Sequence, residues 1–143
     1  MKGLLLVVIW LSGLSQPKWE TDISVARKQA AEQHKFILLN FSGSDWCAPC
    51  IQMRKEILEH PEFIAWANSH LILVNADFPR EKKHQLSKNL QQQNNKLADQ
   101  YNANGIFPLT ILLKEDGSVK KSWEGHPKMS AEKFVQQLNN LIQ

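Results

Sequence analysis

Cysteine is scarce in this chain: there are two in 143 residues, Cys47 and Cys50, so no network of bridges can serve as a scaffold. Metal ligands are equally thin. A lone C-x-x-C supplies only two of the four ligands that a structural zinc takes, and His34, His60, His70, His84 and His126 show no paired ligand spacing. No glycine-rich flavin or nicotinamide fingerprint is present. Charge of one sign is not concentrated either: the formal net charge is +3 and the lysines are mixed with acidic residues, which is no electrostatic footprint of a nucleic-acid binder. Residues 4–11 are unbroken hydrocarbon and aromatic, yet spanning a bilayer takes about 20 such residues. What is there, 43% apolar and 22% charged residues, matches one ordinary soluble domain with a single core.

Residues 1–15 differ from the rest. Met1-Lys2 gives a positive start, the apolar run follows, and Gly13-Leu14-Ser15 offers small residues two apart. That is the layout of a secretory signal peptide cut after Ser15, leaving a domain of residues 16–143 in the periplasm or secreted; an uncleaved N-terminal anchor is the alternative. No cysteine lies near the cut, so a lipid on a new N-terminal cysteine is excluded. Export bears on the cysteines, because a disulfide persists in an oxidising compartment.

Along the remainder, residues 19–34 carry Ile23, Ala26 and Ala30 on one helical stripe, with Thr21 or Asp22 placed as cap. Phe36-Ile37-Leu38-Leu39-Asn40-Phe41 reads as a central strand covered on both faces. Ser42-Gly43-Ser44-Asp45 is turn chemistry, and the cysteine pair then opens a helix running to about Glu59. His60-Pro61 breaks it, residues 62–68 form a short second helix, and residues 71–76 are the next buried strand. Residues 79–95 are polar, first basic and then rich in Gln and Asn, while Leu86, Leu90, Leu97 and Tyr101 keep helical spacing. They are expected to form a long solvated helix with a loose start, or alternatively a docking patch for an acidic partner. Residues 109–113, a turn at Glu115-Asp116-Gly117-Ser118, and the alternating Val119, Lys121 and Trp123 form a hairpin, before a last helix capped by Ser130. The expected class is α/β: a mixed central sheet of about four strands with helices on both faces, those joined by helices running parallel.

Disulfide exchange needs an attacking thiolate, a second thiol to resolve the mixed disulfide, and access for a foreign sulfur. Trp46-Cys47-Ala48-Pro49-Cys50 meets the first two demands. A helix N-terminus offers unpaired N–H groups and a positive dipole end, which favour the anion at Cys47 and make it the nucleophile, with Cys50 resolving. Pro49 has no N–H to lose in the first turn. A stabilising disulfide is the plainer alternative, but so short a loop restricts the unfolded chain little. The redox pair is then the whole of the chemistry, with no other cofactor expected.

Leu38-Leu39-Asn40-Phe41, Trp46-Cys47-Ala48-Pro49-Cys50, Val74-Asn75-Ala76-Asp77 and Gly105-Ile106-Phe107-Pro108 together resemble the thioredoxin superfamily, more narrowly its exported bacterial members. The likeness covers residues 19–143 and implies a thioredoxin fold. It implies that Pro108 is a cis-proline facing the cysteines and that Trp46, Phe107 and Pro108 form the substrate-facing rim. Three departures stand out: Asn40 occupies the place of the family's buried aspartate, Leu73 that of its accompanying lysine, and Phe107 that of a smaller residue.

The implied activity is a thiol:disulfide oxidoreductase reducing exported proteins, since Ala48-Pro49 is closer to the Gly-Pro of reducing thioredoxins than to the His-containing dipeptides of oxidants and isomerases. The alternatives are an oxidase or isomerase, a reductase for one client such as an apocytochrome, and a non-catalytic binding module. Expected partners are protein thiols and disulfides and a membrane or exported electron donor, with the chain itself a monomer.

Overall fold

Alternation along the strands decides how the sheet is covered. In the computed structural model, which describes residues 16–143, the elements are β1 (Trp19–Glu20), α1 (Ile23–Gln33), β2 (Phe36–Ser42), α2 (Ala48–Met53) continuing into a π-helical turn (Arg54–Leu58), α3 (Pro61–His70), β3 (Leu71–Asp77), a 3-10 turn (Lys82–His84), α4 (Lys88–Tyr101), β4 (Leu109–Leu113), β5 (Val119–Glu124) and α5 (Ala131–Ile142). The expected signal segment lies outside the described residues. Successive side chains of a strand point to opposite faces. In β2, Ile37, Leu39 and Phe41 therefore join α1 and α4 in one apolar cluster, with Ala26, Ala30 and Leu97. Leu38 goes to the other face, with Met53, Ile57, Phe63 and Phe134 of the α2, α3 and α5 side.

The sheet is mixed, with five strands in the order β1-β3-β2-β4-β5. The strand beyond the expected four is β1, drawn from residues assigned to a helix. Trp19 and Glu20 pair in parallel with Leu73 and Val74, and the helix starts only after Asp22, whose Oδ1 accepts from Ser24 N at 2.8 Å. Two residues are too few to show a period of two, whereas pairing to β3 satisfies their backbone.

One strand direction also differs from expectation. β2 and β3 are parallel, but β4 is antiparallel to β2, with Leu109 beside Phe41 and Leu113 beside Ile37. The connection after α4 returns the chain to the end where β2 and β3 finish, so β4 enters there and carries Pro108 to the same end as the cysteines. In that connection Asn102 clamps Ile106, accepting from its N–H and donating to its carbonyl, each at 2.8 Å. Residues 79–87 are likewise not a loose helical start; α4 begins at Lys88, with Ser87 Oγ accepting from Leu90 N, and the arm before it is pinned to the active-site loop.

Candidate active site

The first turn of a helix has N–H groups without intrahelical partners. In α2 the N-cap is Cys47, whose Sγ accepts from Cys50 N at 3.3 Å, and Pro49 sits in that first turn. Cys47 and Cys50 are joined as a disulfide with their Cα atoms 5.2 Å apart. Both are nearly covered, at 3% and 5% exposure, so an incoming sulfur must enter through the surrounding rim.

That rim is built from three separate stretches of chain. Trp46 packs edge-on against Phe107, their ring centroids 5.5 Å apart, and Phe107 in turn against Phe78 at 5.4 Å. The Phe107–Pro108 peptide is cis. Trp46 lies so close to the loop that a Cβ on Gly43 would clash with the indole. Gly43 is required by that approach, and its carbonyl accepts from Cys47 N at 2.9 Å. The indole N–H of Trp46 donates to Phe78 O at 2.7 Å, and the Arg80 guanidinium lies 3.7 Å above its ring. Ala48 is exposed beside the cysteines.

Asp45 ties this arm to the loop. Its Oδ1 accepts from Arg80 N and its Oδ2 from Glu81 N, each at 2.9 Å. His84 Nδ1 lies 3.0 Å from Oδ2, and an ionised carboxylate can only accept, so that nitrogen carries the proton. The Arg80 N–H foremost, then the Glu81 N–H and His84, outweigh desolvation and hold the Asp45 carboxyl down at about 2. The ligand atoms of Asp45, Glu81 and His84 lie within 4.8 Å of one another, but both Asp45 oxygens already accept backbone hydrogen bonds, which makes the cluster a clamp.

Beneath the cysteines, Asn40 sits between Asn75 and Thr110 in the register of β3, β2 and β4. Asn40 Nδ2 donates to Asn75 Oδ1 at 3.2 Å, and Thr110 Oγ1 donates to Asn40 Oδ1 at 3.1 Å. This row is polar and uncharged. Leu73 is packed in the core cluster of the same face. A cavity of about 190 Å³ opens between α2 and the ends of the strands, lined by Cys50, Asn40, Asn75, Ser44, Arg54 and Glu59 among others.

Sequence reasoning named the cysteines, Trp46, Phe107 and Pro108 as site residues; the structure joins the cysteines as a disulfide and brings Trp46 and Phe107 into contact. It did not single out Asp45 or Phe78, and it took Arg80 and His84 only as part of the basic run read as a solvated helix start or a docking patch for an acidic partner. No local pattern marks them, since each acts on a partner more than 25 residues away, as the 32 between Trp46 and Phe78 illustrate.

A parallel and antiparallel sheet of this order, with a cysteine pair at the junction of its central strand and a helix, defines the thioredoxin class of protein. The chain belongs to the thioredoxin-like domain family, whose model matches residues 23–142. It is 39% identical over 100 residues to the disulfide bond reductase DsbH of Chlamydia pneumoniae, covering 70% of this chain and 58% of that one. It is 34% identical over 98 residues to the thioredoxin-related protein DsbJ of the same organism, over 68% of this chain and 27% of that one. The alignments thus span less than two thirds of these relatives' own lengths. Among solved structures, a DsbH oxidoreductase superposes with a TM-score of 0.83 at 28% identity, covering 99% of this chain and 94% of that one. A thioredoxin from Thermus thermophilus shares the fold, with a TM-score of 0.64 at 15% identity over 88% and 87% of the two chains. No helix among the described residues is long and apolar enough to cross a membrane.

Proposed function

We propose that the chain is an exported protein-disulfide oxidoreductase acting as a dithiol reductase. The observation that carries this reading is the Cys47–Cys50 pair at the start of α2, with Cys50 N–H directed at the Cys47 sulfur. In the reduced protein the Cys47 thiolate attacks a substrate disulfide, forming one S–S bond as another breaks and releasing one substrate thiolate. Cys50, deprotonated, then attacks Cys47 Sγ, closes the internal disulfide and releases the second substrate thiolate. Two electrons and two protons pass to the substrate, and a membrane or exported dithiol donor restores the pair. The substrate segment lies along the rim of Trp46, Phe107 and Pro108.

The proton of Cys50 needs an acceptor, and the amides of Asn40 and Asn75 are not bases. Cys50 borders the cavity, which gives solvent a route to its sulfur. Support for the reducing direction comes from Ala48-Pro49 and from the relative named as a disulfide bond reductase.

The test is a mixed-disulfide trap. Cys50→Ser is expected to accumulate client adducts through Cys47, and Cys47→Ser none. Equilibration with glutathione reports direction: a potential near thioredoxin's value of about −270 mV is expected, and one near the roughly −120 mV of a strong oxidant reverses the assignment.

A further inference from the structure

Arginine stacked flat on an aromatic ring uses its face and keeps its edge. The N–H donors lie in the guanidinium plane, so a stacked arginine can still accept a carboxylate in bidentate fashion. The Arg80 guanidinium carbon lies 3.7 Å from the centroid of the Trp46 ring, a cation–π contact that leaves its N–H donors available to another partner. Among the described residues no carboxylate pairs with it: Glu81 is engaged by Lys83 at 3.3 Å and faces His84 at 3.6 Å, and Asp45 is taken by two backbone N–H groups and His84.

The position of this cation is also built. Its own N–H and that of Glu81 are held by the Asp45 carboxylate, whose side chain is only 5% exposed. The carbonyl of Phe78 holds the Trp46 indole. Gln85 Nε2 donates to the carbonyls of Pro79 and Glu81 at 3.2 and 3.3 Å. An exposed arginine on a free loop would lose side-chain and loop entropy on meeting a ligand; here much of that ordering is already in place. Arg80 is exposed, and the Trp46 ring it covers belongs to the residue that precedes Cys47 and packs against Phe107, which places the cation on the rim beside the cysteine pair.

Resting on the oxidoreductase function proposed above, we propose that Arg80 is a specificity-determining contact, selecting disulfides that carry an acidic residue beside the attacked cysteine, with Asp45 as its positioning residue. Lys82 and Lys83 on the same arm add positive field of the same sign, and Glu81 and the Asp45 carboxylate, which its donors keep ionised, subtract from it.

The experiment uses pre-reduced full chain in single turnover, with two model peptide disulfides identical but for Glu or Lys next to the cysteine. At low salt the Glu peptide is expected to react about five-fold faster, the ratio falling toward one at high salt, as an exposed ion pair does. Arg80→Ala should bring the ratio close to one, Arg80→Glu should invert it, and Arg80→Lys should retain part of it. Asp45→Asn should lower the ratio with Arg80 still present, an effect that loss of general stability would not produce, since both peptides meet the same protein. Equal rates for the two peptides with the wild-type chain, or a ratio untouched by Arg80→Ala and Arg80→Glu, would overturn the specificity role while leaving the reductase standing. Failure of the wild-type chain to reduce either peptide would instead overturn the reductase, and the specificity role with it.

Discussion

The two faces of the sheet are packed from different materials. Under α1 and α4, β2 contributes Ile37, Leu39 and Phe41 to an apolar cluster. Under α2, the same strand contributes Leu38 and then Asn40, and Asn40 lies in a polar row with Asn75 and Thr110 beside a cavity that Cys50 lines. Burying amides costs free energy unless they pair; the row beneath the cysteines pairs within itself, whereas on the α4 side Asn94 is buried with only its Nδ2 engaged, donating to Asp77 O. Of the four buried polar residues among those described, Asn40 and Thr110 lie in this row, and Asn94 and Asn102 lie outside it. One strand thus serves two faces: Ile37, Leu39 and Phe41 pack on one side, and on the other Leu38 packs in the core while Asn40 borders the cavity.

The largest expected effect breaks the apolar face. Leu39 is fully buried, and Leu39→Ala should cost about 2–5 kcal/mol of stability by denaturant titration, with the potential of the cysteine pair unchanged. On the polar face, Asn40→Leu should cost less, about 1–3 kcal/mol, chiefly because Asn75 and Thr110 lose their partner. A loss as large as that of Leu39→Ala would show that the row is structural cement. Asn40→Asp sharpens the distinction further. Burial raises the pKa of the introduced carboxyl, and above that pKa it supplies a base beside the cavity. Release of the mixed disulfide should then quicken several-fold with a pH step absent from the wild type, read by stopped-flow tryptophan fluorescence.

The smallest effect lies at the edge of the polar end. The Asp45 carboxyl is held at about 2 from an ordinary 3.8, first by the Arg80 N–H. A depressed carboxyl stabilises the folded arm fully above its unfolded value, and this is lost as pH falls through the folded one. Between pH 3.8 and about 2 the arm should detach from the loop, changing Trp46 fluorescence. Asp45→Asn should lack that transition, and an identical acid response in the variant would remove Asp45 from the account.

Much of the architecture was legible along the chain. The continuous apolar run of β2, the proline break before α3, the caps at Asp22 and Ser130, and the hairpin of β4 and β5 are local signals, because each depends on side chains within a few residues. Trp46-Cys47-Ala48-Pro49-Cys50 is local in the same sense, since a nucleophile at a helix start needs only the helix that follows it. The short β1 was hidden, as two residues carry no periodicity, and the direction of β4 was misjudged because a helical connection does not by itself say at which end the chain re-enters. Residues 79–87 looked loose because their partners are elsewhere: Arg80 N–H reaches Asp45 across 35 residues.

By itself, then, the sequence determined the order of elements after β1, the family likeness and the pair of sulfurs at the head of α2, all consequences of local pattern and short-range spacing. Tertiary structure alone decided that Asn40 meets Asn75 and Thr110, that Phe78, Phe107 and Trp46 form one rim, and that Arg80 stands free over it. Those are products of strand register and of where the chain turns back, and register is set by the summed burial of a whole strand rather than by any residue in it.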